Sequence, residues 1–204
     1  MLLEWLRLGG LPMALLLVLS LAAATVAIVK FWELWEWRYT RLSPAWRHAR
    51  VDLALAQLGA ERSPLAAVLA AALAALADPG VSEAQARERT EQAAAAALER
   101  LRRGLRLLEV IAQLSPLLGL FGTVLGMIDS FRALQDAGGD VQPALLAAGI
   151  WQALLTTAAG LAIAIPVIAA LGALERLVDD QRLALEMELT RLFTQPRAQW
   201  RHAA

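Results

Sequence analysis

Hydrophobic positions dominate three long stretches of this chain, and charged positions are swept into the segments between them. No charge falls between Arg7 and Lys30, a run of 22 residues. About 20 apolar residues cross the hydrocarbon core of a bilayer, so this run predicts a first spanning helix over 11–31. Lys30, Phe31, Trp32, Trp35 and Trp37 close it with a cation and an aromatic belt. That ending suits a retained anchor better than a signal peptide, whose apolar region is shorter and precedes a small-residue cleavage site. A second uncharged run, Val110 to Ile128, lies between Glu109 and Asp129. It predicts a second span over 110–130. The third run holds 34 uncharged residues between Asp140 and Glu175. As helix it measures roughly 50 Å, more than the core requires, so the span at 144–174 tilts or projects. Pro143 falls near its start, where a missing backbone N–H costs little.

The segments outside the spans are expected to be helical too. Ser63-Pro64 opens an Ala/Leu run, Leu65 to Ala77, that Asp78-Pro79-Gly80 closes. It is too short to span and reads as a buried helix of a soluble bundle. Ser82 is placed to cap the next helix. From there to Asp129 the pattern predicts one long helix, wet at its start and lipidic at its end. The stretch from Glu175 to Thr194 continues the third span as an amphipathic helix. The expected layout is an outer N-terminus at 1–10, a cytoplasmic helical loop at 32–109, a short outer link at 131–143 and a cytoplasmic helix and tail at 175–204.

Charge sets the orientation. Net charge is zero, but 12 of the 19 Lys and Arg lie between Lys30 and Glu109, and five follow Glu175. Arg7 and Arg132 are the two left for the opposite side. The positive-inside bias therefore puts the large loop and the tail in the cytoplasm and the N-terminus outside. The loop's ten acidic residues weaken any reading of it as a patch for anionic lipid heads.

Composition then removes several chemistries. With 58% hydrophobic residues the chain fits the membrane class, and with no Cys it has neither disulfides nor thiolate metal ligands. His48 and His202 read as solvated surface residues. There is no phosphate-binding glycine loop, metal-ligand cluster or nucleophile with a base, so no catalytic residue, metal or cofactor is assigned. Asp129 and Arg132 are boundary charges one turn apart and able to pair.

What the spans do carry is small residues and hydroxyls. Ser115, Gly119, Gly122, Gly126 and Ser130 fall on one face of the second span, with Thr123 at its border. Ala153, Thr156 or Thr157, Gly160 and Ala164 form a matching stripe on the third. Such stripes let helices pack closely. Pro116 and Pro166 each remove a backbone donor and are expected to kink their helices. A membrane Thr hydroxyl can simply bond its own backbone one turn back. Three of them on two small-residue stripes point to a polar path. Gln152 adds an amide that must face protein or water. No group on these spans can bind and release a proton, so if the chain handles ions, the ionisable group must come from a partner.

Two segments carry a resemblance. Ser115 to Phe131 reads SPLLGLFGTVLGMIDSF and Gly149 to Ala170 reads GIWQALLTTAAGLAIAIPVIAA. Both resemble the signature of the ExbB/TolQ/MotA proton-channel family, most closely its ExbB and TolQ branch, over about Leu105 to Leu177. The resemblance implies an all-α membrane protein of the bacterial inner membrane. Two of its three spans would extend into a cytoplasmic helical bundle, and it would form a pentameric ring. It implies a single-span ExbD- or TolR-like partner that carries the proton-binding aspartate, and a TonB- or TolA-like protein that receives the energy. Thr123 and Thr157 match the family's threonines and would face the pore. Gln152 stands where well-known relatives have Glu, which takes one candidate proton acceptor out of this chain. A non-conducting membrane scaffold and, less in keeping with the residues, a membrane enzyme are the competing readings.

Overall fold

The computed structural model describes residues 2–39, 51–60, 63–136 and 143–194, and every regular element among them is an α-helix. In order these are α1 (Leu2–Tyr39), α2 (Val51–Ala60), α3 (Pro64–Ala77), α4 (Glu83–Arg102), α5 (Leu105–Asp136) and α6 (Pro143–Thr194). His48 and His202, residues 137–142 of the expected link, and residues 195–204 lie outside the described residues. Helical stretches long and apolar enough to cross a membrane fall at Gly10–Leu34, within Glu83–Asp136 and within Leu146–Thr194.

The chain divides into two compact units. The first comprises Met1–Lys30 and Gly104–Ala173. Its buried positions include Met13, Leu16 and Ala23 of α1, Leu108 and Ile111 of α5, and Ala153, Ala164 and Val167 of α6. Its outward faces are as apolar as its interior: Leu117, Phe121 and Val124 of α5 and Leu154, Leu161 and Ile165 of α6 are all exposed. Contiguous apolar surface of that kind suits lipid or other protein chains, not water.

The second unit comprises Phe31–Arg103 and Leu174–Ala204. Its core gathers Leu58, Leu65, Leu69, Leu73 and Leu76 with Val81, Leu185 and Leu192. The local signals act as their chemistry dictates. The Ser63 hydroxyl accepts from Leu65 N–H and Pro64 takes the first helical position. At Ser82 a full capping box forms: its hydroxyl accepts from the Gln85 N–H, and the Gln85 side chain accepts from the Ser82 N–H. On α6, Arg182 pairs with Glu186 at 2.7 Å across one turn, and Arg191 meets the largely buried Glu188 at 3.5 Å.

Two breaks qualify the expected helices. The long helix expected from Ser82 to Asp129 is two, because the chain turns at Arg103-Gly104, where Gly104 has φ +91°. L side chains rarely adopt that conformation, and the site is also crowded: a methyl on Gly104 would sit 3.1 Å from Lys30 Cε. The second break is inside α1, where Gly10 takes φ 56°, ψ −150° just before Pro12. By contrast, α5 and α6 run unbroken through Pro116 and Pro166.

Candidate functional site

In the first unit α5 and α6 meet through their smallest residues, antiparallel and in register. A methyl on Gly160 would lie 2.5 Å from the Ser115 carbonyl oxygen and 3.1 Å from Gly119 Cα. One on Gly119 would lie 3.0 Å from both Thr156 O and Thr157 Cα. Further along, Gly122 faces Thr156, Gly126 faces Ala153, and Gly149 faces Ser130. As positions rise on α5 they fall on α6. None of these contacts leaves room for a side chain in the seam: the helices meet backbone to backbone at Gly119 and Gly160, and glycine backbone packs on a small side chain at Gly122, Gly126 and Gly149. Gly149 extends it and was not among the expected packing residues. Its signal is its place four residues before Ala153. Ala164 is buried on the same stripe of α6.

The hydroxyls divide according to where their single proton goes. Ser115 donates to Ile111 O at 2.7 Å, Ser130 to Gly126 O at 2.7 Å and Thr123 to Leu120 O at 2.6 Å. Each is a bond to its own helix, one turn back. Thr156, fully buried, lies 2.7 Å from Ala153 O and 3.4 Å from Gly119 O. It has one proton to give, and the shorter bond takes it. That leaves the Gly119 carbonyl to Thr157, whose hydroxyl donates to it at 3.0 Å. Thr157 thus ties α6 to α5. Thr123 sits beside the seam, half-buried, with its hydroxyl turned to its own backbone. Both threonine oxygens keep lone pairs that can accept from a water or an acid.

Gln152 lies one step from the seam, half-buried, beside a groove of about 160 Å³. The groove is lined on α5 by Gly122, Gly126 and Asp129, on α6 by Gln152 and Thr156, and on α1 by the Gly10–Pro12 break. The Gln152 amide makes no hydrogen bond among the described residues. Asp129 and Arg132, able to pair by spacing, form no ion pair there. Trp151 points outward, 69% exposed. Among the described residues no three His, Asp or Glu side chains converge as metal ligands would.

The arrangement offers a tightly held pair of spans, hydroxyl oxygens with free lone pairs, and a polar groove at one end. Residues 60–187 match the MotA/TolQ/ExbB proton channel family, well over half of the chain. The biopolymer transport protein exbB1 of Vibrio cholerae serotype O1 is 46% identical over 86 residues, covering 42% of this chain and 38% of that protein. A putative ExbB-like biopolymer transport protein of Synechocystis sp. is 38% identical over 163 residues, covering 77% and 64%. The Tol-Pal system protein TolQ of Pseudomonas aeruginosa is 45% identical over 75 residues, covering 35% and 31%. The chain thus spans less than two thirds of the length of each of these relatives.

Proposed function

Because this chain belongs to the MotA/TolQ/ExbB proton channel family, we propose that it is the ExbB-like subunit of an inner-membrane motor driven by proton-motive force. In this reading several copies, five by family resemblance, form a ring around the transmembrane helices of an ExbD-like single-span partner. The large loop and the tail lie in the cytoplasm, and the N-terminus lies outside. A TonB-like protein takes the energy to the outer membrane. The observation that carries the reading is the make-up of α5 and α6. Their membrane parts are locked together and bear hydroxyls, yet no residue between Val110 and Ile128, or between Val141 and Leu174, can change charge. A proton crossing there needs a titratable carrier, and the partner's carboxylate supplies it. Thr123 and Thr157 then serve as acceptors that hold water and the protonated acid, which favours the acid's neutral form. Protonation changes the partner's fit in the ring, and ring and axle turn against one another. The match to TolQ over α5 and α6 supports a sister reading, a subunit that maintains the outer membrane with TolR- and TolA-like partners.

Proton flux into sealed vesicles tests the proposal. Vesicles holding this chain with its single-span partner should take up protons under an imposed gradient. Vesicles holding this chain alone, or with the partner's membrane Asp changed to Asn, should not. Equal flux in all three would rule out a partner-borne carrier. Absence of flux in every case, with the complex intact, would favour a non-conducting scaffold.

A further inference from the structure

The groove beside the α5–α6 seam is not explained by packing. We propose that it is a water-filled vestibule within each subunit, which admits protons at Asp129 and leads them as far as Thr156, the residue next to Thr157. The proton-channel reading says what the water carries. The vestibule itself stands on geometry alone.

Size and polarity both point to water. About 160 Å³ accommodates several water molecules, each of which needs two to four polar partners. The walls offer them. Among the described residues the Gln152 amide makes no hydrogen bond and the Asp129 carboxylate makes no ion pair. Irregular backbone at Gly10, followed by Pro12 with no N–H, stands at the outer end of the first span and lines the groove. A lipid tail in the same groove would leave the amide unsatisfied. The path is short. From Asp129 to Gly122, where Thr156 packs, is about 10 Å along α5 at 1.5 Å per residue.

The chemistry is ordered along that path. Among the described residues Asp129 is the one ionisable group lining the groove. Arg132 follows one turn on along α5, Arg7 precedes Gly10 by three residues on α1, and α6 has no charged residue before Glu175. A carboxylate at the mouth raises the local proton concentration. Gln152 cannot titrate, so it can only hold the water column.

The chain has no Cys, so each single-cysteine variant carries one thiol, and labelling is read on this chain after purification. Asp129→Cys, Gln152→Cys and, as an apolar reference, Leu154→Cys are compared in the full complex in native membranes. The probe is a cationic, membrane-impermeant methanethiosulfonate. Only a hydrated thiol forms the reactive thiolate. Asp129→Cys and Gln152→Cys should react at least about tenfold faster than Leu154→Cys. Reaction of Gln152→Cys no faster than the reference overturns the vestibule. As a second measure, Asp129→Asn should lower proton-driven output about tenfold at neutral outside pH, with recovery on acidification. Unchanged output overturns the role of Asp129. Labelled thiols in a complex that passes no protons would keep the vestibule and sink the proton-channel reading.

Discussion

Gly160→Leu should abolish the assembled complex. Any side chain at this position meets backbone: the Ser115 carbonyl oxygen at 2.5 Å and Gly119 Cα at 3.1 Å from the first added carbon. Neither can rotate away, so α5 and α6 must separate. Overpacking of a tight contact costs about 1–3 kcal/mol, and separation also removes the Thr157 bond to Gly119 and the fit of Gly122 on Thr156. We expect the amount of oligomer recovered from membranes to fall by at least about tenfold, the factor that 1.4 kcal/mol represents. Gly160→Ala should fall between wild type and Leu. Gly172→Ala, on the same helix with nothing within 4 Å of the added carbon, should leave recovery and thermal midpoint unchanged or slightly raised, since Ala is the better helix former. Equal behaviour of the Gly160 and Gly172 variants would show that the seam does not hold the spans together.

Thr157→Val should leave the complex assembled and stop it working. Valine keeps the branched shape and removes the hydroxyl. The lost interhelical bond is worth about 0.6 kcal/mol in membrane proteins, too little to dismantle a seam of backbone contacts. Its oxygen is the acceptor that the proposed mechanism needs beside the partner's carboxylate. Energised transport should drop by at least about tenfold, a lower bound set against the roughly 10²–10³ that loss of one preorganised polar group costs where it stabilises developing charge. Thr157→Ser, which restores an oxygen, should recover most of it. Thr156→Val should do less harm, because the Thr156 proton serves its own turn at Ala153. Transport at the wild-type level in Thr157→Val would remove Thr157 from the mechanism. Loss of the oligomer in that variant would make it a packing residue.

The parts of this molecule that were legible in the sequence are those that local chemistry decides. Apolar run length located the spans, and Ser82 marked a helix start. Glycines every three or four residues defined a packing face, because helical period alone aligns them. What the sequence left open depends on tertiary neighbours. Gly104 and Gly10 break their helices while Gly119, Gly122 and Gly126 do not, and in one dimension all five are glycines in helical runs. The difference is what surrounds them: Gly104 lies under the Lys30 side chain, whereas Gly119 lies against α6. The threonines are similar. Thr123, Thr156 and Thr157 all border small-residue stripes, but the register of α5 on α6 gives the Gly119 carbonyl to Thr157 alone. The groove was illegible for the same reason, since its walls come from three helices distant in sequence.

In the proposed motor this chain houses a carrier that it does not itself contain. Purifying it from membranes together with the proposed single-span partner, and imaging the complex, tests this. A closed ring of this chain around partner helices, with Thr123 and Thr157 facing the partner's membrane Asp, is the expected result. A stable assembly whose centre holds lipid, and which binds no partner under any gentle extraction, would contradict it.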